Sequence, residues 1–136
     1  MTCRCSDVEI QRYKNRLSEP FLDRIDLYVV MNEITKDDTS DITSKQIHTK
    51  VNQAFIVQKL RGQEDLNGKL DDKSIGKYCI LNQEAQDILD TAIENFTLSF
   101  RAINKILKVA RTIADLDNSK DIEKIHLLES LSYRKR

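Results

Sequence analysis

LSFRAINKILKVARTIADL, residues 98–116, carries Ile103, Ile106, Leu107, Ala110, Ile113 and Ala114 at spacings of three and four. That spacing lays them along one stripe of an α-helix turning about 100° per residue, so the stretch predicts a core-facing helix. Ser99 is placed to cap it, because its hydroxyl can accept an amide proton that the first turn leaves unpaired. Asp117-Asn118-Ser119 favours a local turn at the other end. Opposite the apolar stripe lie Arg101, Asn104, Lys105, Lys108 and Arg111, a cationic face that starts where helix amides already favour an anion.

The segments around this helix read the same way. Residues 41–61 carry Ile42, Ile47, Val51, Ala54, Phe55, Val57 and Leu60 at helical spacing, and Gly62 follows where a left-handed residue is wanted. Residues 63–69 contain the turn signal Asn67-Gly68, and residues 72–78 predict a short helix. Asn82 caps residues 83–96, with Ala85, Ile88, Leu89, Ala92, Ile93 and Phe96 as the stripe. Residues 121–133 close the chain with Ile122, Ile125, Leu127, Leu128 and Leu131. Short links between helices favour antiparallel neighbours, so residues 41–136 predict a small helical bundle.

The N-terminal third differs. Ser6 with Glu9 forms a capping-box signature ahead of a short helix over residues 7–17. Ser18-Glu19-Pro20 interrupts it, since the residue before a proline is pushed out of the helical region. Residues 21–26, FLDRID, read as a brief turn, and LYVVM at residues 27–31 has the β-branched and aromatic content of a strand. A lone strand cannot satisfy its backbone hydrogen bonds, so it implies a sheet completed by segments outside this chain. Residues 34–40 are polar and read as a linker. The expected architecture is therefore mainly α: residues 1–33 as the remnant of a truncated α/β core with one orphan strand, then residues 41–136 as the bundle.

The 136 residues include 22 basic and 22 acidic ones, no Trp, one Pro and three Gly. So few turn residues speak against a many-stranded sandwich, and the balanced charge leaves nucleic-acid affinity to local clusters alone. No apolar run approaches the roughly 20 residues that span a bilayer, and the N-terminus has no hydrophobic signal core, which predicts a cytoplasmic protein with no membrane partner. Cys3 and Cys5 could offer two thiolates, but a tetrahedral zinc site needs four ligands and Cys79 is distant, so no metal site is expected. Neither Gly68-Lys69 nor Gly76-Lys77 has the flanking residues of a phosphate-binding loop. In LYVVMNE, residues 27–33, Asn32 stands where a magnesium-binding carboxylate would be needed. His48 and His126 have no triad partners nearby in sequence and read as structural.

RYKNRLSEPFLDRIDL at residues 12–27 and LSFRAINKILKVARTIADLDNSKDIEKIHLLESLSYR at residues 98–134 together resemble the C-terminal part of a magnesium chelatase-related AAA+ ATPase, of the ComM/YifB-type competence protein family. The resemblance covers nearly the whole chain, is weak between residues 33 and 80, and departs at Glu19, where the family carries Gly. It implies an α/β nucleotide-binding core followed by a helical lid, with the phosphate-binding loop and magnesium carboxylates upstream of this chain. It implies that Arg24 is an arginine finger reaching the nucleotide of the next subunit, with Asp23 and Asp26 orienting it. It likewise implies that Arg101 is the second sensor arginine of the lid, both catalytic and nucleotide-binding. Lys105, Lys108 and Arg111 become candidate interface or nucleic-acid contacts.

The activity so implied belongs to the longer parent: ATP hydrolysis with ATP and Mg in a homo-oligomeric ring, a hexamer, with DNA as a candidate partner. The chain alone would be monomeric, bind no cofactor and hydrolyse nothing. An ATPase subunit of a metal chelatase and a stand-alone helical nucleic-acid-binding module are the alternatives.

Overall fold

A computed structural model describes residues 4–134. Among them are seven α-helices, α1 (Asp7–Lys14), α2 (Glu19–Leu22), α3 (Ser44–Leu60), α4 (Asp72–Tyr78), α5 (Gln83–Phe96), α6 (Phe100–Leu116) and α7 (Lys124–Ser132), with a 3-10 turn at Asn67–Lys69 between α3 and α4. The helix starts are written in side chains. Ser6 and Glu9 form the reciprocal capping box ahead of α1, Asn82 accepts from the Ala85 amide at 2.9 Å, and Ser99 accepts from the Ala102 amide at 3.2 Å. Thr43 and Gln46 make a second capping box, which is why α3 begins at Ser44 rather than at residue 41. Gly62 follows α3 at φ +80°, a backbone region that costs glycine little and other residues more.

α6 is the hub: it packs against α3, α4, α7 and the 3-10 turn, while α5 packs on α7. The core contains Leu70, Ile75, Cys79, Ala85, Leu89, Ile106, Ala110, Ala114, Ile122 and Leu127. Three of these lie on the stripe predicted for α6, and Ile103 and Leu107 pack against them. Alanines at 110 and 114 have no exposed surface, so the neighbouring helices approach the α6 backbone closely. A parallel bridge between Leu81 and Ile122 brings the starts of α5 and α7 together. The Ile122 amide donates to the Ile80 carbonyl at 2.8 Å and the Asn82 amide to the Ile122 carbonyl at 3.0 Å.

Three sequence expectations need correction. LYVVM at residues 27–31 forms no strand. Its amide at Tyr28 donates to the Tyr133 carbonyl at 2.9 Å, while Val29, Val30 and Met31 are exposed. Strand propensity without a partner strand gains no ladder, and the segment stays irregular. Pro20 does not merely interrupt a helix. It sits in the first turn of α2, where its missing N–H is no loss, and Ser18 caps that helix. On α3, the predicted stripe is displaced: Ala54 and Gln58 are buried, whereas Ile47, Val51 and Phe55 are exposed. α1 buries no residue at all.

The buried thiol of Cys79 is pushed up to about 11, chiefly because burial disfavours the thiolate. Its neutral form is the one the fold accommodates, so this group's contribution to stability is complete below its usual value near 9 and declines as pH rises toward 11. At pH 8 iodoacetamide is expected to alkylate exposed Cys5 and leave Cys79 unmodified until denaturant is added, as read by peptide mass spectrometry. Equal labelling of Cys5 and Cys79 in the native protein would contradict the packing.

Candidate functional site

Arg24 follows the end of α2, in the turn Asp23–Arg24 that leads to the irregular segment. Its side chain is exposed and makes no hydrogen bond or ion pair among the described residues. The predicted orienting pair behaves differently from expectation. The Asp23 carboxylate lies 3.8 Å from the Arg101 guanidinium rather than holding Arg24, and no contact of the Asp26 carboxylate with Arg24 is present. Both members of the Asp23–Arg101 pair are more than half exposed, 55% and 62%. Such a pair is worth under about 1 kcal/mol, so it brings the two segments together without locking them.

Arg101 sits in the first turn of α6, two residues beyond the capping Ser99. One turn further along, the Lys105 ammonium donates to the carbonyls of Asp23 and Ile25, each at 2.7 Å. Tyr28 completes the attachment through its amide, which donates to the Tyr133 carbonyl, while its hydroxyl folds the segment back on itself by donating to the Leu22 carbonyl. Residues 19–28 are thus laid across α6 and the end of α7. They enclose a cleft of about 120 Å³ whose lining includes Glu19, Asp23, Asp26, Lys105 and Arg134. The structure therefore brings together Asp23, Arg101 and Lys105, with Arg24 as the unpaired cation beside them.

The rest of the predicted cationic face points elsewhere. Lys108 donates to the Gly68 carbonyl at 3.3 Å. Arg111 is the clear correction, since its side chain is only 1% exposed and cannot meet a nucleic acid or another subunit. Its Nε donates to Asp115 at 3.0 Å, and its two terminal nitrogens donate to the carbonyls of Lys120 at 2.8 Å and Ser119 at 2.7 Å. Burial lowers its pKa and the adjacent Asp115 carboxylate opposes that shift. Asp115 in turn accepts from Arg61 and, at 2.9 Å, from Asn67, whose amide also meets Thr112 at 3.1 Å. None of this network was picked out from the sequence. The available signal was Asp115 at i+4 from Arg111, with Arg111 on the border of the stripe next to Leu107 and Ala114.

His126 is buried, its Nδ1 accepting from the Glu123 amide at 3.0 Å and its Nε2 lying 3.1 Å from Asp117, the structural role expected of it. His48 is exposed and meets Asn52. Cys3 lies outside the described residues, and among the described residues no three His, Cys, Asp or Glu gather as a metal-binding group. No helix among them is long and apolar enough to cross a membrane.

Residues 41–134 match the family model described as magnesium chelatase, subunit ChlI C-terminal. Residues 1–39 match the model described as magnesium chelatase, subunit ChlI. The Competence protein ComM of Haemophilus influenzae is 40% identical over 136 residues, covering 96% of this chain and 26% of its own length. The uncharacterized YifB proteins of Salmonella typhimurium and Escherichia coli are 36% and 38% identical, each over 96% of this chain and 27% of their own. The chain thus spans about a quarter of the length of the curated relatives it matches.

The buried and exposed ion pairs of α6 are expected to differ sharply in urea unfolding of this chain. Asp115→Ala, which leaves the buried Arg111 charge short of its carboxylate, should cost about 3 kcal/mol or more. Asp23→Ala should cost less than about 1 kcal/mol. Equal and small losses in both variants would show that the Asp115 network does not hold the bundle.

Proposed function

The chain belongs to the magnesium chelatase ChlI family, and from that membership we propose that it is the lid-and-finger part of a ring-forming AAA+ ATPase. In this reading residues 1–33 complete an α/β nucleotide-binding core, residues 34–40 link it to the lid, and residues 41–136 are the lid. Arg24 is the finger that enters the nucleotide site of the neighbouring subunit, and Arg101 is the lid's sensor arginine. The observation that carries the proposal is an exposed, unpaired Arg24 guanidinium next to an Asp23–Arg101 contact at the start of α6. Two permanently charged, planar donors at one edge of the molecule suit the oxygens of a triphosphate. The amides of the first turn of α6 add a fixed dipole of the same sign.

The fit to nucleotide is one of charge and exposure. Arg24 has no competing carboxylate to displace, and the weak Asp23 contact of Arg101 can give way to phosphate. ATP with Mg supplies the transferable phosphoryl group and the metal charge. The carboxylates for that metal would come from other parts of the protein. What this chain contributes is positive charge where negative charge grows in the transition state. For a finger of this kind the contribution is about 10³- to 10⁵-fold in rate. A finger acting across a subunit boundary requires a heterologous, head-to-tail interface, which closes into a ring such as a hexamer.

The parent is proposed as a cytoplasmic motor acting on DNA, a reading in keeping with the likeness to a protein named for competence; the alternative, an ATPase subunit of a metal chelatase, is in keeping with the magnesium chelatase name of the family models. A stand-alone nucleic-acid-binding module is not favoured by the geometry. Of its four cations on α6, Arg111 is buried, Lys105 and Lys108 are spent on carbonyls of this chain, and Arg101 faces Asp23.

In the assembled full-length protein, Arg24→Ala should lower ATP turnover by about 10³-fold or more while leaving nucleotide affinity within severalfold of the parent. Steady-state hydrolysis and equilibrium titration with a fluorescent nucleotide measure the two. Unchanged turnover would remove Arg24 from the reaction.

A further inference from the structure

The carbonyl oxygens of Asp23 and Ile25 bracket Arg24 in the chain, and both accept from one ammonium, Lys105 Nζ, at 2.7 Å each. α2 ends at Leu22, so these carbonyls lie beyond helical pairing, and no backbone amide among the described residues donates to them. A lysine that grips the peptide units on either side of a residue fixes the backbone from which that residue's side chain departs. We propose that Lys105 is the positioning residue for Arg24: α6 holds the finger loop by its backbone and so sets where the Arg24 guanidinium can reach.

The proposal rests on the finger reading of Arg24 and adds to it a residue outside the reacting atoms. Three features support it. Lys105 is one helical turn from Arg101, so the two lie on the same face of α6, and Asp23 is held by its carboxylate from one and by its carbonyl from the other. The ammonium offers three donors and uses two of them here, both at short distance for a charged donor. The Arg24 turn is closed on itself by the Arg24 and Ile25 amides, which donate to the Phe21 carbonyl at 3.0 Å and the Leu22 carbonyl at 3.1 Å, and the Tyr28 amide ties the strap to Tyr133, so Lys105 is what joins the formed turn to α6 through its backbone. Lys105 would then link the lid to the finger of the same subunit. A shift of α6 on nucleotide binding would carry Arg24 with it, and misplacement of a catalytic group by about 1 Å can cost about 10²-fold in rate.

Because Lys105 is only partly buried, water can replace its ammonium at the two carbonyls, and Lys105→Met is expected to fold. Lys105→Gln, which keeps a donor, is measured beside it should the methionine variant unfold. In the assembled full-length protein Lys105→Met should lower kcat for ATP by about tenfold to a hundredfold, with KM and ring assembly unchanged. Lys105→Arg, whose fork can span two carbonyls, should restore most of the rate. The Arg24→Ala/Lys105→Met double variant should be no slower than Arg24→Ala, since a displaced alanine has nothing left to lose. Hydrogen exchange on the 136-residue chain gives a readout independent of activity. The amides of Asp23, Arg24 and Ile25 should exchange about tenfold faster or more in Lys105→Met, with α5 unchanged.

Full kcat in Lys105→Met, unaltered exchange at residues 23–25, or a double variant slower than Arg24→Ala by the whole single-variant factor would each overturn the assignment. If Arg24→Ala itself retains turnover, the finger reading fails and Lys105 loses its role with it. If Arg24→Ala is inactive and Lys105→Met is not impaired, the finger stands and only the positioning role is lost.

Discussion

A carboxylate taken out of water must be met by charge and by donors, and Asp115 is met by Arg111 from its own helix, Arg61 from the end of α3 and Asn67 from the 3-10 turn. Because two of the partners come from outside α6, satisfying one side chain fixes the end of α3 and the 3-10 turn to the C-terminal half of that helix. Arg111 extends the clamp by reaching the Lys120 and Ser119 carbonyls, which lead into α7. Buried ion pairs of this sort bring little net stability relative to a well-packed apolar pair. Losing one partner is costly, however, so the pair specifies an arrangement more than it adds energy. Here the arrangement specified is the position of α6 against α3 and α7.

That anchoring divides α6 by function. Its second half, through Ala110, Ala114 and the Asp115 network, is committed to the interior. Its first half has Arg101 and Lys105 turned toward the loop of Arg24. A helix held rigidly at one end and carrying cations at the other is a suitable lever, because movement of the lid as a body displaces the cations by a defined amount. The attachment of residues 19–28 to this helix extends that motion to a residue more than 70 positions earlier in the chain.

Most of the bundle was legible because its cues are local. Spacings of three and four located α5 and α6 nearly to the residue, and the caps at Ser6, Asn82 and Ser99 are read from side-chain chemistry. What was hidden depends on partners distant in sequence. LYVVM carries strand propensity that only neighbouring strands could turn into a ladder. Ile47, Val51 and Phe55 fit a helical stripe, but packing against α6 selects Ala54 and Gln58 instead. Arg111 reads as part of the cationic face, a candidate interface or nucleic-acid contact, because an isolated helix wheel places every cation outside. Its burial depends on Asp115 one turn on, which Arg61 and Asn67 meet from two other segments. In the site, likewise, the sequence placed Asp23 beside Arg24, whereas folding turns its carboxylate to Arg101. The grip of Lys105 on two carbonyls has no sequence signature, since backbone oxygens are present at every position.

α6 serves the core with one end and, in the function proposed, offers its cations to a nucleotide with the other. The most direct measurement is a structure of the full-length assembly with a non-hydrolysable ATP analogue and Mg. The account predicts the Arg24 and Arg101 guanidinium groups at hydrogen-bonding distance from phosphate oxygens, with Arg24 contributed by the adjoining subunit. An occupied nucleotide site with Arg24 turned to solvent, or paired with a carboxylate of its own subunit, would contradict it.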